Sequence, residues 1–246
     1  MKQSENFEEV RKIYNRIADA YQEKRENPAK STWNDFLEAP SIDKLLSEIV
    51  LTGKKVLDLG CGTGLLSIKL HNAGADVFGI DLSEKMISLA KLNFPTLKFD
   101  VGNAAHTSFR DGEFDVIASS FVMHYVKNLK PVFKEMSRIL KKGGQFVFSM
   151  HHPFNFKKIE EEDSVKVLAT PYFTNNEKYF WNMCDTKIVS FHHTFEDVVS
   201  GLYESGFLTQ KIIECRPSKD SKDHFKDYDF TSKFPTFCVF QALRTE

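Results

Sequence analysis

The chain carries, at residues 56–64, the run Val-Leu-Asp-Leu-Gly-Cys-Gly-Thr-Gly, followed at 79–81 by Gly-Ile-Asp. The first run predicts a buried strand that ends in a glycine-rich turn, and the second predicts a neighbouring strand that ends in a carboxylate. Glycine at positions 60, 62 and 64 lets the backbone turn sharply and approach a ligand closely, and the helix that follows presents free N–H groups there. Asp81 is placed to accept hydrogen bonds from ribose hydroxyls. These features predict a site for an adenosine-bearing ligand.

The motif resembles the first signature of class I S-adenosylmethionine-dependent methyltransferases, in particular the small-molecule, type 11-like members. Dinucleotide-binding dehydrogenases instead carry G-x-G-x-x-G and have no particular need for an acid two residues before the first glycine. The resemblance implies S-adenosylmethionine as cofactor, with Asp58 facing its cationic methionine end and Asp81 its ribose. It also implies the following set of cofactor-binding residues: Tyr14, Tyr21, Asp58, Gly60, Cys61, Gly62, Gly64, Asp81, Leu82, Met86, Asn103, Ala104, Ser119 and Phe121.

Several members of this set have an equally simple structural role. Asn103 stands where the family usually has an acid that binds the adenine amino group; its amide oxygen can accept that bond, but asparagine is also a common turn residue. Leu82 and Met86 fit either adenosine packing or the core. Tyr14 and Tyr21 share one face of the first helix, where the resemblance implies a lid over the cofactor and plain packing is the alternative.

Composition limits the partners of the protein. The chain has 246 residues, with 33 Lys and Arg against 34 Asp and Glu and a net charge of -1, so no overall field attracts nucleic acid or an anionic membrane. Four cysteines lie far apart without a C-x-x-C pair, which argues against a zinc site and against disulfides. The first residues lack an apolar signal segment, so we expect a cytoplasmic protein, monomeric or homodimeric, with no bound metal.

The alternation of strands and helices from residue 55 to 150 predicts an α/β fold with a doubly wound, mostly parallel sheet. The order resembles the seven-stranded Rossmann-like methyltransferase sheet, whose last strand runs antiparallel between the fifth and sixth. An N-terminal helix over residues 6–24 and a second helix over 41–51, capped by Ser41, precede the sheet. We expect four parts: an N-terminal helical cap or lid (1–53), a cofactor-binding core (54–150), an aromatic-rich insertion after the fifth strand that caps the substrate (151–193), and the remainder of the sheet (194–246).

Local patterns refine this outline. Cations at 141 and 142, followed by Gly143, predict the end of the helix that starts near Pro131. Two β-prone runs on either side of Cys184-Asp185 predict a hairpin inside the insertion. Thr194 with Asp197 predicts a helix start of the capping-box type. The charged stretch 217–235 is expected to be a solvated loop.

Three histidines are candidates for acid–base chemistry. His124 follows the fourth strand, His152 follows the fifth, and His192 precedes the last helix, where two short stretches resemble histidine-bearing elements of small-molecule methyltransferases. An imidazole near neutral pKa can deprotonate a hydroxyl, amine or carbon acid. A purely structural histidine is the alternative at each position.

The sequence therefore favours methyl transfer from S-adenosylmethionine to a small-molecule acceptor. Two alternatives stay open: an NAD(P)-dependent oxidoreductase, and a protein that binds S-adenosylmethionine without catalysis. Methylation of RNA or protein is a third, which the neutral charge makes less favourable.

Overall fold

A seven-stranded sheet forms the centre of the protein in the computed structural model, which describes residues 3–27, 33–154, 156–161, 164–169, 171–174 and 177–245. The helices are α1 Gln3–Glu26, α2 Ala39–Ser47, α3 Leu65–Asn72, α4 Glu84–Asn93, α5 Leu129–Ile139, α6 Phe195–Tyr203 and α7 Tyr228–Thr231. The strands are β1 Lys55–Leu59, β2 Asp76–Asp81, β3 Lys98–Val101, β4 Phe114–Ser119, β5 Leu140–His151, β6 Phe156–Glu161, β7 Ser164–Ala169, β8 Lys178–Met183, β9 Thr186–Phe191, β10 Phe207–Glu214 and β11 Phe237–Arg244.

The strand order is β10-β11-β5-β4-β1-β2-β3, and β11 is antiparallel to both of its neighbours. The other adjacent pairs, β4 with β5, β1 with β4, β1 with β2 and β2 with β3, are all parallel. This confirms the predicted mostly parallel sheet with its antiparallel last strand. The carboxyl ends of β1, β2, β4 and β5 meet at one edge, where ligands bind in sheets of this kind.

Side chains alternate between the two faces of the sheet. Leu57, Phe146 and Phe148 pack with α5 and α6 on one face, whereas Val56 and Val147 pack with α2 and α3 on the other. Five of the 23 phenylalanines, Phe133, Phe146, Phe148, Phe207 and Phe240, are fully buried in the first of these layers.

Helix α1 lies across the edge of the sheet that holds the motif and is attached to the start of α4. Asn15 accepts hydrogen bonds from the Ser83 hydroxyl at 2.6 Å and from the Lys85 backbone at 3.1 Å, and it donates to Glu84 at 2.7 Å. The Arg11 guanidinium also contacts the Glu84 carboxylate. These bonds hold the aromatic face of α1 over the glycine-rich turn. Across the described ranges, no helix is both long and apolar enough to cross a bilayer.

Three local predictions need correction. Ser41 is not a helix cap: a π-helical turn over Asn34–Glu38 runs directly into α2, and the Ser41 hydroxyl donates to the Leu37 carbonyl. Helix α5 ends at Ile139, because the chain enters β5 earlier than the cations at 141 and 142 suggested. The stretch 217–235 contains α7 and buries Phe225 and Phe230, which pack on the segment before α2. The insertion also holds a second hairpin, β6–β7, which the periodicity did not indicate.

Two other local predictions are confirmed. The hairpin β8–β9 turns at Cys184 and Asp185, both of which have positive φ. Thr194 accepts from the Asp197 backbone while the Asp197 carboxylate accepts from the Thr194 backbone, so α6 begins with a capping box.

Candidate active site

The turn after β1 wraps closely around the end of β2. The backbone N–H groups of Gly60 and Cys61 both donate to the Ile80 carbonyl, at 2.7 and 2.9 Å. Gly60 has φ +73°, and a Cβ there would lie 2.1 Å from a methyl carbon of Val122. Gly62 has φ +53°, and a Cβ there would meet nothing within 4 Å. The first glycine is therefore required by packing, whereas the second exposes backbone to an open space.

Asp81 connects this turn to the start of α4. One carboxylate oxygen accepts from the Gly62 backbone at 3.0 Å, and the other accepts from the Ser83 backbone at 2.9 Å. A carboxylate oxygen can accept more than one hydrogen bond, so both oxygens keep capacity for ligand hydroxyls. Burial raises the pKa of Asp81, and the backbone donors at Ser83 and Gly62 oppose that shift.

Two further carboxylates are buried close to the turn. Asp58 accepts from the Ser67 hydroxyl at 2.5 Å, and burial raises the pKa of its carboxyl to about 7. Glu38 accepts from the hydroxyls of Ser120 and Ser149, at 2.8 and 2.6 Å, and burial also raises its pKa. None of Asp58, Asp81 and Glu38 forms an ion pair within the described residues. Two buried acids and the half-buried Asp81 therefore lie near the turn without an ion-paired cation among the described residues.

A small cavity of about 110 Å³ opens at this turn; we call it the motif cavity. Its walls come from α1, from the turn, and from the ends of β2, β3 and β4. It is lined by ten of the predicted cofactor residues: Tyr14, Tyr21, Gly60, Gly62, Asp81, Leu82, Met86, Asn103, Ala104 and Phe121. Ser120, which carries the hydrogen bond to Glu38, lines it as well.

A second cavity of about 800 Å³ lies next to it, between α1, the hairpin β8–β9 and the end of β5. We call it the aromatic cavity, because ring side chains form much of its wall: Trp33, Phe121, Tyr125, His151, Tyr179, Trp181 and Phe237. Tyr14, Tyr21, Phe121 and Tyr125 line both cavities. The Tyr14 and Tyr125 hydroxyls are 2.6 Å apart, so this hydrogen-bonded pair stands at the boundary between the two spaces.

Comparison with known proteins agrees with this geometry. The family described as "Methyltransferase domain" matches residues 57–148. A putative S-adenosylmethionine-dependent methyltransferase from Listeria monocytogenes has a similar structure, with TM-score 0.71 and 25% identity, covering 85% of this chain and 99% of that one. These matches support a class I S-adenosylmethionine-dependent methyltransferase. The methyltransferase is also 29% identical over 239 residues to an uncharacterized protein of Haemophilus influenzae, covering 90% of this chain and 92% of the relative.

A demethylmenaquinone methyltransferase from Tropheryma whipplei is 34% identical over 152 residues, which is 60% of this chain. The methyltransferase spans 62% of the length of that relative.

The residues of this methyltransferase fit S-adenosylmethionine better than a dinucleotide. The sulfonium of S-adenosylmethionine is a cation, and three carboxylates without an ion-paired cation in the described chain match it: the buried Asp58 and Glu38 and the half-buried Asp81. The pyrophosphate of NAD(P) would place negative charge beside the same carboxylates. This observation disfavours the oxidoreductase alternative. The open backbone at Gly62 and the two oxygens of Asp81 are suited to the adenosine part.

Four members of the predicted cofactor set do not line the motif cavity, and each has an evident structural task. Asp58 is buried and accepts a hydrogen bond from Ser67 of α3, outside the cavity wall. Cys61 packs its side chain beneath Gly79, and Gly64 lies so close to Phe94 that a Cβ there would be 2.8 Å from the ring. Ser119 donates to the Leu59 carbonyl at 2.8 Å, which ties β4 to β1.

Asn103, which does line the motif cavity, has a second task. Its side-chain oxygen accepts from the Ala105 backbone at 2.9 Å and so closes a turn after β3. The turn role that the sequence left open for this residue is therefore present, and the residue also faces the space where the cofactor would lie.

The three candidate histidines of the methyltransferase differ in the hydrogen bonds and the accessibility of their ring nitrogens. Both nitrogens of His124 are sealed without a hydrogen-bond partner in the described chain, and burial moves its pKa well below the usual range. His152 contacts Glu214 through Nε2 at 3.0 Å and accepts from the Phe154 backbone through Nδ1 at 3.1 Å, so both nitrogens are engaged. His192 lines the aromatic cavity, and its Nε2 donates to the Tyr172 carbonyl at 2.7 Å, so in the neutral ring the lone pair is on Nδ1.

Two groups at this site, Glu38 and His151, are absent from the residues predicted from the sequence. Glu38 lies in the π-helical turn, which has no simple sequence pattern. His151 could have been found from the alternation of β5, because it follows Val147 and Ser149 on the face opposite to Phe148 and Met150. The same alternation turns His152 toward Phe195 of α6.

Proposed function

We propose that the methyltransferase moves the methyl group of S-adenosylmethionine to a small-molecule acceptor held in the aromatic cavity. The observation that carries this proposal is the shared wall between the two cavities, formed by Tyr14, Tyr21, Phe121 and Tyr125. An acceptor in the larger cavity would lie directly beside a cofactor in the smaller one. The volume of about 800 Å³ is within the range usual for small-ligand sites.

S-adenosylmethionine, when bound, supplies an electrophilic methyl group that needs little activation. The protein therefore contributes mainly orientation and exclusion of water. We infer that α1 and the hairpin β8–β9 perform both tasks, because together they cover the aromatic cavity. The name of the Tropheryma whipplei relative, a demethylmenaquinone methyltransferase, supports a small acceptor.

We further propose that His192 is the general base when the acceptor carries a proton. Because Nε2 donates to the Tyr172 carbonyl, Nδ1 keeps its lone pair. Nδ1 makes no hydrogen bond within the described chain and is not among its sealed unpaired atoms, so it is open to a ligand. His124 and His152 lack such an open nitrogen, which leaves His192 as the most suitable of the three predicted catalytic residues.

A methyl-transfer screen tests this function. Purified protein is incubated with S-adenosylmethionine and pools of small molecules, and S-adenosylhomocysteine formation is followed by mass spectrometry. We expect turnover with at least one pool, and loss of turnover in Asp81→Asn. The matched control is Asp76→Asn at the exposed opposite end of the same strand, which should keep full activity.

Two results would contradict the proposal. Binding of S-adenosylmethionine without transfer to any pool would favour a cofactor-binding protein without catalysis. Incorporation of label into RNA or protein, with none in small molecules, would show that the aromatic cavity does not hold the acceptor.

A cytoplasmic location and a monomeric or homodimeric state stay predictions. Light scattering would measure the oligomeric state.

A further inference from the structure

His151 is the ring in the aromatic cavity whose hydrogen-bonding capacity is best defined. It lies at the end of β5, stacked on His124 with ring centroids 3.9 Å apart, and it also contacts Phe237 and Trp181, at 5.6 and 5.4 Å. Its Nδ1 is 2.7 Å from the Tyr179 hydroxyl. Its Nε2 has no partner in the described chain and is not sealed, so it is open to the cavity.

The contact with Tyr179 determines which proton His151 presents. Burial raises the pKa of Tyr179, so the phenol keeps its proton and can donate it to Nδ1. Burial also lowers the pKa of His151 to about 3, so the ring is neutral near pH 7, and the tautomer that accepts from Tyr179 carries its proton on Nε2. A neutral ring of this kind is a weak base but a good hydrogen-bond donor. His151 is therefore suited to recognising an acceptor oxygen rather than to removing a proton.

The charged residues of the same cavity are mostly cationic. Lys24, Arg25 and Lys178 line it, with Glu177 as the carboxylate among its described lining residues. Arg25 pairs with Asp35 at 2.9 Å and Lys178 with Glu9 at 3.0 Å. Lys24 is half-buried and forms no ion pair with any described residue. A free cation at the wall of an aromatic cavity favours a ligand that brings a negative charge.

We propose that the acceptor is an aromatic anion: a planar ring that packs on the rings of the aromatic cavity, with an oxygen that accepts from Nε2 of His151 and a negative group that meets Lys24. This inference rests on the proposed function, because it names the substrate class of the same cavity. Planar rings pack favourably on aromatic side chains, and a buried donor without a partner discriminates strongly against ligands that lack the matching acceptor.

Intrinsic fluorescence provides the test, because the chain has two tryptophans, Trp33 and Trp181, and both line the aromatic cavity. Protein saturated with S-adenosylhomocysteine is titrated with 4-hydroxybenzoate, with 4-hydroxybenzamide and with cyclohexanecarboxylate. The second probe keeps the planar ring without the charge, and the third keeps the charge without the planar ring. We expect 4-hydroxybenzoate to bind about tenfold more tightly than either of the others. Trp181→Phe should remove most of the signal if the ring lies beside that wall.

Two substitutions separate the contributions. Lys24→Gln should weaken 4-hydroxybenzoate about tenfold and leave 4-hydroxybenzamide unchanged. Lys12→Gln on the same helix, at an exposed position outside the cavity, is the matched control and should change neither. Tyr179→Phe removes the hydrogen bond that favours one tautomer of His151, so it should lower the affinity for both hydroxylated probes severalfold. Circular dichroism and the affinity for S-adenosylhomocysteine show whether each variant is folded.

The outcomes distinguish this inference from the proposed function. Failure to bind S-adenosylhomocysteine would overturn both. Normal binding of S-adenosylhomocysteine, with equal affinity for the benzoate, the benzamide and the saturated acid, would overturn only the substrate class. An unchanged benzoate affinity in Lys24→Gln would likewise overturn it.

Discussion

Replacing Asp58 with asparagine should stabilise the protein in the absence of ligand, and more so at higher pH. Burial raises the pKa of the Asp58 carboxyl from 3.8 to about 7, so ionisation of this group in the folded state is costly. The folded protein binds the proton more tightly than the unfolded chain does. The stabilisation that comes from protonated Asp58 is therefore fully present below about pH 4 and is lost as the pH rises through about 7. Above about pH 7, the buried charge lowers the free energy of unfolding by about 4 kcal/mol.

Asparagine removes the charge and keeps a group that can bond the Ser67 hydroxyl, which lies 2.5 Å from the carboxylate. The gain in the free energy of unfolding for Asp58→Asn should therefore be larger at pH 8 than at pH 5, by about 2 to 3 kcal/mol. Urea unfolding followed by circular dichroism at pH 5, 6, 7 and 8 measures it. Asp223→Asn, at an exposed position, is the control and should change the unfolding free energy little at any of these values.

If the Asp58 charge compensates the sulfonium from outside the cavity wall, as the proposed function requires, the same variant should bind S-adenosylmethionine about tenfold less tightly. Its affinity for S-adenosylhomocysteine, which has a neutral thioether, should change much less. A stability difference that is the same at pH 5 and pH 8 would refute the assignment of a raised pKa. Equal losses for the two ligands would refute the electrostatic role of Asp58.

Three other perturbations follow from the site. The affinity of the unmodified protein for S-adenosylmethionine should rise about tenfold from pH 6 to pH 8, since Asp58 must ionise, and calorimetry should find this dependence absent in Asp58→Asn. Gly60→Ala should abolish cofactor binding, because the new Cβ would overlap a methyl group of Val122. The control is Gly143→Ala, at φ +77° in open space, which should lower the free energy of unfolding by about 1 kcal/mol and leave binding intact. Tyr14→Phe removes the 2.6 Å hydrogen bond to Tyr125, so it should lower the free energy of unfolding by about 1 kcal/mol. It should also weaken S-adenosylmethionine binding. An unchanged dissociation constant would show that this pair of hydroxyls does not help to hold the cofactor.

The glycine-rich turn and its acid could be predicted because each residue there answers a local requirement. Gly60 and Gly62 adopt positive φ, and Asp81 lies where a strand ends beside the turn. The strand order could be predicted because the alternation of strands and helices, together with the family resemblance, is compatible with few topologies. The capping box at Thr194 depends only on residues three positions apart.

The remaining features depend on contacts between distant segments. Phe225 is buried because it stacks on Phe36, far earlier in the chain, at a centroid distance of 4.7 Å. Glu38 enters the site only because Ser120 and Ser149 lie at the ends of two adjacent strands. A charged or aromatic residue in an irregular segment gives no periodic signal of such a partner. The cofactor turn can therefore be predicted from the sequence, whereas the residues of the aromatic cavity cannot.

Calorimetric titration of the purified protein with S-adenosylmethionine, S-adenosylhomocysteine and NAD is the sharpest test that the carboxylate-lined turn binds an adenosyl sulfonium. We predict saturable binding of the first two, one molecule per chain, no measurable heat with NAD, and release of protons on binding S-adenosylmethionine at pH 7. Binding of NAD with no response to either adenosyl ligand would show that the turn serves a dinucleotide instead.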